Sequence, residues 1–252
     1  MKTEEMQVIK QPIPDKLVVL TFDDASLSHA TFVAPILKEY GFGATFFICE
    51  FPARTGDKPC PGFEDKEAYM TWEQIRELHL SGFEIGNHTL NHSHVNRITP
   101  EALAKEIDEI DIRCQNYGIP KPVTFAYPAY STTPEALTVL REKGFLWART
   151  GGGIYDPLKH HPLLIPSSSP SLKKDLDAFA KTVNEAKDGK IPVLVFHGVP
   201  DNAHSWVSMD QEAFSAYMKY LHDNNFTAIA MKDLGKYIDA EKAEKFHSTH
   251  TA

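Results

Sequence analysis

Five residues in this sequence combine types and spacing that could do chemistry together: Asp23, Asp24, His88, His92 and His197. Adjacent aspartates at the end of an apolar run repel each other and lose hydration when half buried, so a cation or strong hydrogen bonds must offset the cost. Two imidazoles four residues apart, as in Asn87-His88-Thr89-Leu90-Asn91-His92, can point at one centre from a helical turn or from a tight loop. With one carboxylate they make the donor set of a catalytic zinc that keeps open positions for water. Taken singly, Asp-Asp or His-x-x-x-His reads as a surface turn. The argument for a site lies in their joint placement, because each follows a short apolar run, as does His197 after VLVF.

Those runs are the elements that must position the side chains. Segments 17–22, 44–48, 83–86, 123–127, 145–148, 191–196 and 226–230 are rich in β-branched and aromatic residues and read as strands, with 162–165 as a weaker eighth. Helical segments alternate with them. Thr71 with Gln74 forms a capping box, Thr99-Pro100-Glu101 and Thr133-Pro134-Glu135 each supply a cap, a first-turn Pro and an acid, and Gly82, Gly118 and Gly144 supply stops. Segments 171–187, 210–224 and 232–244 complete the expected helices. Seven or eight βα units in about 230 residues suit an α/β single domain built as a closed or nearly closed barrel, in which chemistry gathers at the C-terminal strand ends. A doubly wound open sheet is the alternative, but no Gly-x-Gly-x-x-Gly follows a strand. Segments 51–70 and 150–169 are longer than compact connections need and are expected to overhang the barrel mouth.

Composition narrows the classes. The 252 residues are 42% hydrophobic and 24% charged, which supports one sizeable core. A formal charge of −8 repels phosphate backbones and argues against a nucleic-acid partner. No apolar run approaches the roughly 18–20 residues that span a bilayer, and the first ten residues are too polar for a signal-peptide core. The chain therefore reads as soluble, either cytoplasmic or secreted to the cell envelope with a leader removed. Cys49, Cys60 and Cys114 are too few for a disulfide scaffold and lack Cys-x-x-Cys spacing. A Cys49–Cys60 bridge and free thiols both stay open. The domain limits are set at 1–16 for an N-terminal extension, 17–240 for the barrel and 241–252 for a polar tail.

In order along the chain, Thr21-Phe22-Asp23-Asp24, His88-Thr89-Leu90-Asn91-His92, Phe125-Ala126-Tyr127-Pro128 and Val195-Phe196-His197 resemble the motifs of the polysaccharide deacetylases, the NodB-homology family or carbohydrate esterase family four. The resemblance spans residues 17–238. It implies a distorted (β/α)7 barrel in which Asp24, His88 and His92 hold a divalent metal, most simply zinc, with cobalt or nickel as alternatives. Asp23 would be the general base and His197 the general acid. Backbone N–H groups of the Pro128-Ala129-Tyr130 turn would stabilise an oxyanion. The implied activity is metal-dependent removal of acetyl groups, above all N-acetyl from amino-sugar units of a chitin-like or peptidoglycan-like polysaccharide. Deacetylation of O-acetylated glycans such as acetylxylan, hydrolysis of other small amides, and a non-catalytic carbohydrate-binding relative are the alternatives. The partner is an acetylated carbohydrate, and the oligomeric state stays open.

The sequence also departs from the family pattern. Many members carry an Arg in the third motif that pairs with the catalytic aspartate, and here Ala126 stands in FAYPAY. Tyr130 stands where a Gly is common. The fourth motif keeps an aromatic, Trp147, in Phe145-Leu146-Trp147-Ala148-Arg149 but no acid. Arg149 either supplies the missing positive partner from the neighbouring strand or is an ordinary surface-paired arginine. Trp206, after the acid candidate, could stack on a sugar face or be a half-buried loop aromatic. His94, two past His92, could be a third imidazole of the site or, as the favoured reading, a solvent-facing loop histidine, while His160, His161, His247 and His250 lie in polar stretches and are expected to be solvated.

Overall fold

The computed structural model describes residues 8–50 and 68–250. Seven strands form one parallel sheet: β1 Leu17–Phe22, β2 Thr45–Ile48, β3 Glu84–Asn87, β4 Thr124–Ala126, β5 Trp147–Arg149, β6 Val193–Phe196 and β7 Thr227–Ile229. They run in the order β5-β4-β3-β2-β1-β6, and β7 pairs with the lower half of β1, Leu17 to Val19. The chain is thus a single α/β domain with the expected distorted barrel.

Strand alternation divides the core in two. Val18, Leu20, Phe22, Phe46, Leu194 and Phe196 face outward and pack under helices, where the Phe22 ring stacks on Phe46 and Phe196 at 5.0 and 5.2 Å. Leu17, Val19, Phe47, Ala126, Trp147 and Val193 face inward. Gly86 belongs to the inner face, where any Cβ would stand 2.5 Å from the Phe47 ring and 2.9 Å from the Thr124 hydroxyl. Buried Glu84 crosses the barrel interior. Its carboxylate accepts from the Thr45 hydroxyl at 2.6 Å, the Thr124 hydroxyl at 2.9 Å and the Lys232 N–H at 2.9 Å, joining four elements.

The helices that wrap this barrel are α1 Ala34–Tyr40, α2 Trp72–Leu80, α3 Pro100–Asn116, α4 Pro134–Glu142, α5 Leu176–Val183, α6 Gln211–Asp223 and α7 Ala240–His250. Thr71, Thr99 and Thr133 cap as expected, each accepting an N–H of the first turn. Helix α1 has no counterpart among the expected elements. It follows a π-helical turn at His29–Val33, and the β-branched Thr31 and Val33 with Pro35 give the segment little helical signature.

Four expectations change on folding. Segment 162–165 is not a strand: Pro162 and Pro166 lack the N–H groups that a ladder needs. Instead Ile165 bridges Arg149 and Ser168 bridges Leu194, so 165–168 closes the gap between β5 and β6. Segment 150–169 is therefore largely barrel wall, and Tyr155 bridges Ile191 below β6. The 232–244 helix is interrupted: a 3-10 turn at Met231–Lys236 ends where Ile238 pairs antiparallel with Ile9, and α7 starts afterwards. This pairing ties residues 8–10 to the barrel, with Val8 fully buried. His247 on α7 is also buried rather than solvated, donating from Nε2 to the Pro157 carbonyl at 3.0 Å. Most of segment 51–70, together with Cys60 and any Cys49–Cys60 bridge, lies outside the described residues. Among the described residues no helix is long and apolar enough to cross a membrane.

Candidate active site

Asp23 continues the inward face of β1 after Leu17, Val19 and Thr21. A regular strand would send Asp24 the other way. The chain avoids this by placing Asp24 at φ 72 and Ala25 at φ 51, so both carboxylates face the barrel mouth. Thr89, His92, Ala129 and Tyr130 also have positive φ, and six of the nine such non-glycine residues among those described cluster here. Strain of this kind gathers where side chains must be aimed.

His88 leaves the end of β3 pointing inward. Its Nδ1–H donates to the Ala126 carbonyl at 2.7 Å, which puts the lone pair on Nε2. That Nε2 is buried without a hydrogen-bond partner and lies 3.6 Å from Asp24 Oδ1. His92 Nε2 lies 3.6 Å from the same oxygen. The loop that carries His92 is stapled to α3: Glu106 accepts from Asn91 N–H, Asn91 Nδ2 and the Ser93 hydroxyl, while Thr89 accepts from Ser93 N–H. Ligand atoms of Asp24, His88 and His92 all fall within 4.8 Å of one another. A buried, correctly tautomerised imidazole with nothing to bond, facing a carboxylate and a second imidazole, fits a divalent cation.

The second aspartate is held differently. Arg149, fully buried, donates from Nη2 to both Asp23 oxygens at 2.5 and 2.6 Å. Its guanidinium lies between the rings of Phe47 and Tyr130, 5.3 and 5.9 Å away. Burial pushes the Asp23 carboxyl up, but Arg149 first, then His88 and His197, pull it down to about 2. Arg149 is therefore a buried partner of Asp23 and not a surface arginine. The reason is register: Arg149 is the Cα partner of Ala126, so it delivers a guanidinium from one strand over at the height where the third motif lacks one.

Burial also works against ionisation of Asp24, yet the neighbouring His92, His197 and His88 hold it below the usual carboxylate range. Burial holds His88 below the ordinary imidazole value against the attraction of Asp23 and Asp24, which favours the neutral ligand form. His197 ends β6 with its Nε2 4.0 Å from Asp24 Oδ2, its side chain 21% exposed. Its carbonyl accepts from Nε2 of His29, a fully buried ring whose pKa burial lowers to about 4.

These groups line a cleft of about 430 Å³ whose walls include Ala129, Tyr130, Ser169, Leu172, His204, Trp206 and Met209. In the Pro128-Ala129-Tyr130 turn, Pro128 has no N–H and Tyr130 N–H is committed to the Tyr127 carbonyl at 3.0 Å, which leaves Ala129 N–H as the donor of the turn. Trp206 stands on the rim, 70% exposed. Trp147 does not reach the cleft; it alternates with Ala148 onto the inward face one layer below Arg149 and is buried in the barrel core. His94 packs near His92, with ring centroids 6.3 Å apart, outside the three-residue cluster.

Both motif order and geometry agree with a family model described as polysaccharide deacetylase, which matches residues 10–147. The chain belongs to the polysaccharide deacetylase family. It is similar to the poly-beta-1,6-N-acetyl-D-glucosamine N-deacetylase of Escherichia coli (strain K12), at 37% identity over 86 residues, 32% of this chain and 13% of that protein. It is also similar to the peptidoglycan-N-acetylglucosamine deacetylase of Bacillus cereus, at 25% identity over 141 residues, 54% of this chain and 59% of that one. The chain spans less than two thirds of the length of these relatives. The solved structure of a peptidoglycan deacetylase from Bacillus subtilis matches 96% of this chain and 98% of its own with a TM-score of 0.56 at 16% identity, a likeness of fold.

Two features of this deacetylase-family site escaped the motif reading. His204 reaches the cleft with Nδ1 3.4 Å from Asp201 Oδ1 and 3.8 Å from Asp24 Oδ2. Against burial, the hydrogen bond and charge of His204 and the N–H groups of His204 and Gly198 pull Asp201 down to about 2. The Asp-x-x-His spacing of Asp201 and His204 is the one signal that could have pointed to this pair. Glu106 gave none, because its role depends on how α3 packs on the loop.

Proposed function

We propose that the chain is a metal-dependent deacetylase acting on N-acetylated amino-sugar units of a polysaccharide, chitin-like or peptidoglycan-like. The observation that carries this reading is the convergence of Asp24, His88 and His92, with the His88 Nε2 lone pair unengaged, beside a second carboxylate, Asp23, whose two oxygens accept from Arg149 and whose Oδ2 lies 3.8 Å from His88 Nε2. Asp24, His88 and His92 would hold the cation, with zinc the best match to two nitrogens and one oxygen and cobalt or nickel able to replace it. When bound, such a cation supplies Lewis-acid polarisation of a carbonyl and acidifies water.

The chain's own groups account for the remaining requirements. Asp23, kept ionised and oriented by Arg149, takes a proton from the attacking water as the water oxygen bonds to the acyl carbon. Ala129 N–H faces the charge that gathers on the acyl oxygen. His197 donates a proton to the departing nitrogen, so the C–N bond breaks to leave acetate and a free amine. Trp206 on the rim offers an aromatic face to a sugar ring. The N-acetylglucosamine polymers named for the similar proteins support an amino-sugar substrate.

The test is acetate release from N-acetylated oligomers of chitin and peptidoglycan and from acetylxylan, using protein stripped of metal and then reloaded with zinc, cobalt or nickel. Release from the amino-sugar oligomers alone, only after reloading, is the expected result. Full activity of stripped protein, or release from none of the glycans, rejects the reading.

A further inference from the structure

Asp24 presents two different oxygens. Oδ1 faces His88 and His92, each at 3.6 Å, and is the oxygen turned to the proposed cation. Oδ2 is turned away, toward His197 at 4.0 Å and His204 Nδ1 at 3.8 Å. His204 is 6% exposed and Asp24 7% at the side chain, so water contributes little to holding this second oxygen. We propose that His204, clamped by Asp201, is a positioning residue that fixes the outer oxygen of Asp24 and so presents its other oxygen to the cation; this inference rests on the metal-dependent reading of the site.

The geometry assigns the tautomer. Nδ1 of His204 lies 3.4 Å from Asp201 Oδ1 and 3.8 Å from Asp24 Oδ2, both acceptors, so the hydrogen is assigned to it, while Nε2 faces the Tyr69 hydroxyl at 3.4 Å, which can donate to it. Asp201 makes this arrangement rigid. Its Oδ1 accepts from the N–H of Ala203 at 3.0 Å and of His204 at 2.6 Å, and its Oδ2 accepts from Gly198 N–H at 3.2 Å. One carboxylate thus holds both the backbone directly after His197 and the backbone of His204, with the His204 ring Nδ1 3.4 Å from its Oδ1. Gly198 fits because any Cβ there would stand 2.5 Å from the Asp201 Cα and from the Ser26 hydroxyl. Outer partners that orient ligating carboxylates are worth 10- to 100-fold in metal affinity, which sets the scale of the effect.

The experiment is a zinc affinity measurement by chelator competition on the full chain, with the thermal midpoint of each metal-free protein as a folding control. His204→Ala should weaken zinc binding about 10- to 100-fold. His204→Asn, whose side-chain N–H falls near the position of Nδ1, should bind within about threefold of the parent; His204→Gln, which places its N–H near Nε2, should bind as weakly as the alanine variant. If the alanine variant does not fold, the Asn and Gln variants decide between themselves. Unchanged affinity in His204→Ala, or Gln binding more tightly than Asn, overturns the proposal. His88→Ala separates the two readings. If it loses zinc while His204→Ala does not, only the role of His204 falls; if the parent holds no zinc, both readings fall.

Discussion

Replacing Arg149 by Met removes a charge while nearly keeping the volume, and it isolates the buried pairing of Arg149 with Asp23. The guanidinium is fully buried and makes two contacts of 2.5 and 2.6 Å with Asp23, itself 3% exposed. The Asp23 carboxyl falls from 3.8 to about 2, which corresponds to roughly 2–3 kcal/mol of stability above the unfolded value, since one unit is worth about 1.4 kcal/mol. Its sign is that of a depressed carboxyl: the contribution is complete above pH 3.8 and is lost as pH falls through about 2. Removing one partner of a buried pair also strands the other, at about 3–5 kcal/mol. Arg149→Met should therefore lose about 3–5 kcal/mol in urea unfolding at pH 7, and that loss should shrink as pH approaches 2, where the carboxylate of the parent is itself protonated. Arg149→Met with Asp23→Asn, which removes both charges, should recover most of the loss, leaving less than about 1.5 kcal/mol. A single variant within about 0.5 kcal/mol of the parent at pH 7, or a double variant no more stable than the single one, would refute the argument that this ion pair organises the site.

Asp23→Asn should keep stoichiometric zinc by elemental analysis yet lose turnover by about 10²- to 10⁴-fold, whereas Asp24→Asn should lose metal as well; equal metal loss in both would reject the division of roles. His197→Ala should keep metal and fold but cost an N-acetylated sugar oligomer far more rate than an activated aryl acetate, because a phenolate leaves without a proton and an amine does not; equal losses would remove His197 as the acid. Glu84→Leu leaves the Thr45 and Thr124 hydroxyls and the Lys232 N–H inside the barrel without their acceptor, and should cost at least about 3 kcal/mol in urea unfolding. Burial pushes the Glu84 carboxyl above 4.5, so its ionisation works against folding, and Glu84→Gln should gain stability relative to the parent as pH rises above that value; a difference that does not change with pH would show that the carboxyl titrates alike in both states.

Local composition determined much of this protein. Apolar β-branched runs set the strands, with β1 expected and found at Leu17–Phe22, and Thr caps with early prolines set three helix starts, because these signals act within a few residues. The five chemical residues were legible for a related reason: a parallel barrel places whatever follows a strand at one mouth, so Asp23, Asp24, His88, His92 and His197 had to lie near one another. What the tertiary structure alone decided involves side chains brought together across the barrel. Arg149 reaches Asp23 from β5 because β4 and β5 align Ala126 with Arg149. Trp147 carries the same apparent motif value yet points into the core, since moving two residues along β5 changes the layer from mouth to interior. Asp24 shares the mouth with its neighbour through a left-handed turn that no residue type announces. His204 and Asp201 join the site through the loop after β6, where backbone hydrogen bonds, not periodicity, set the path.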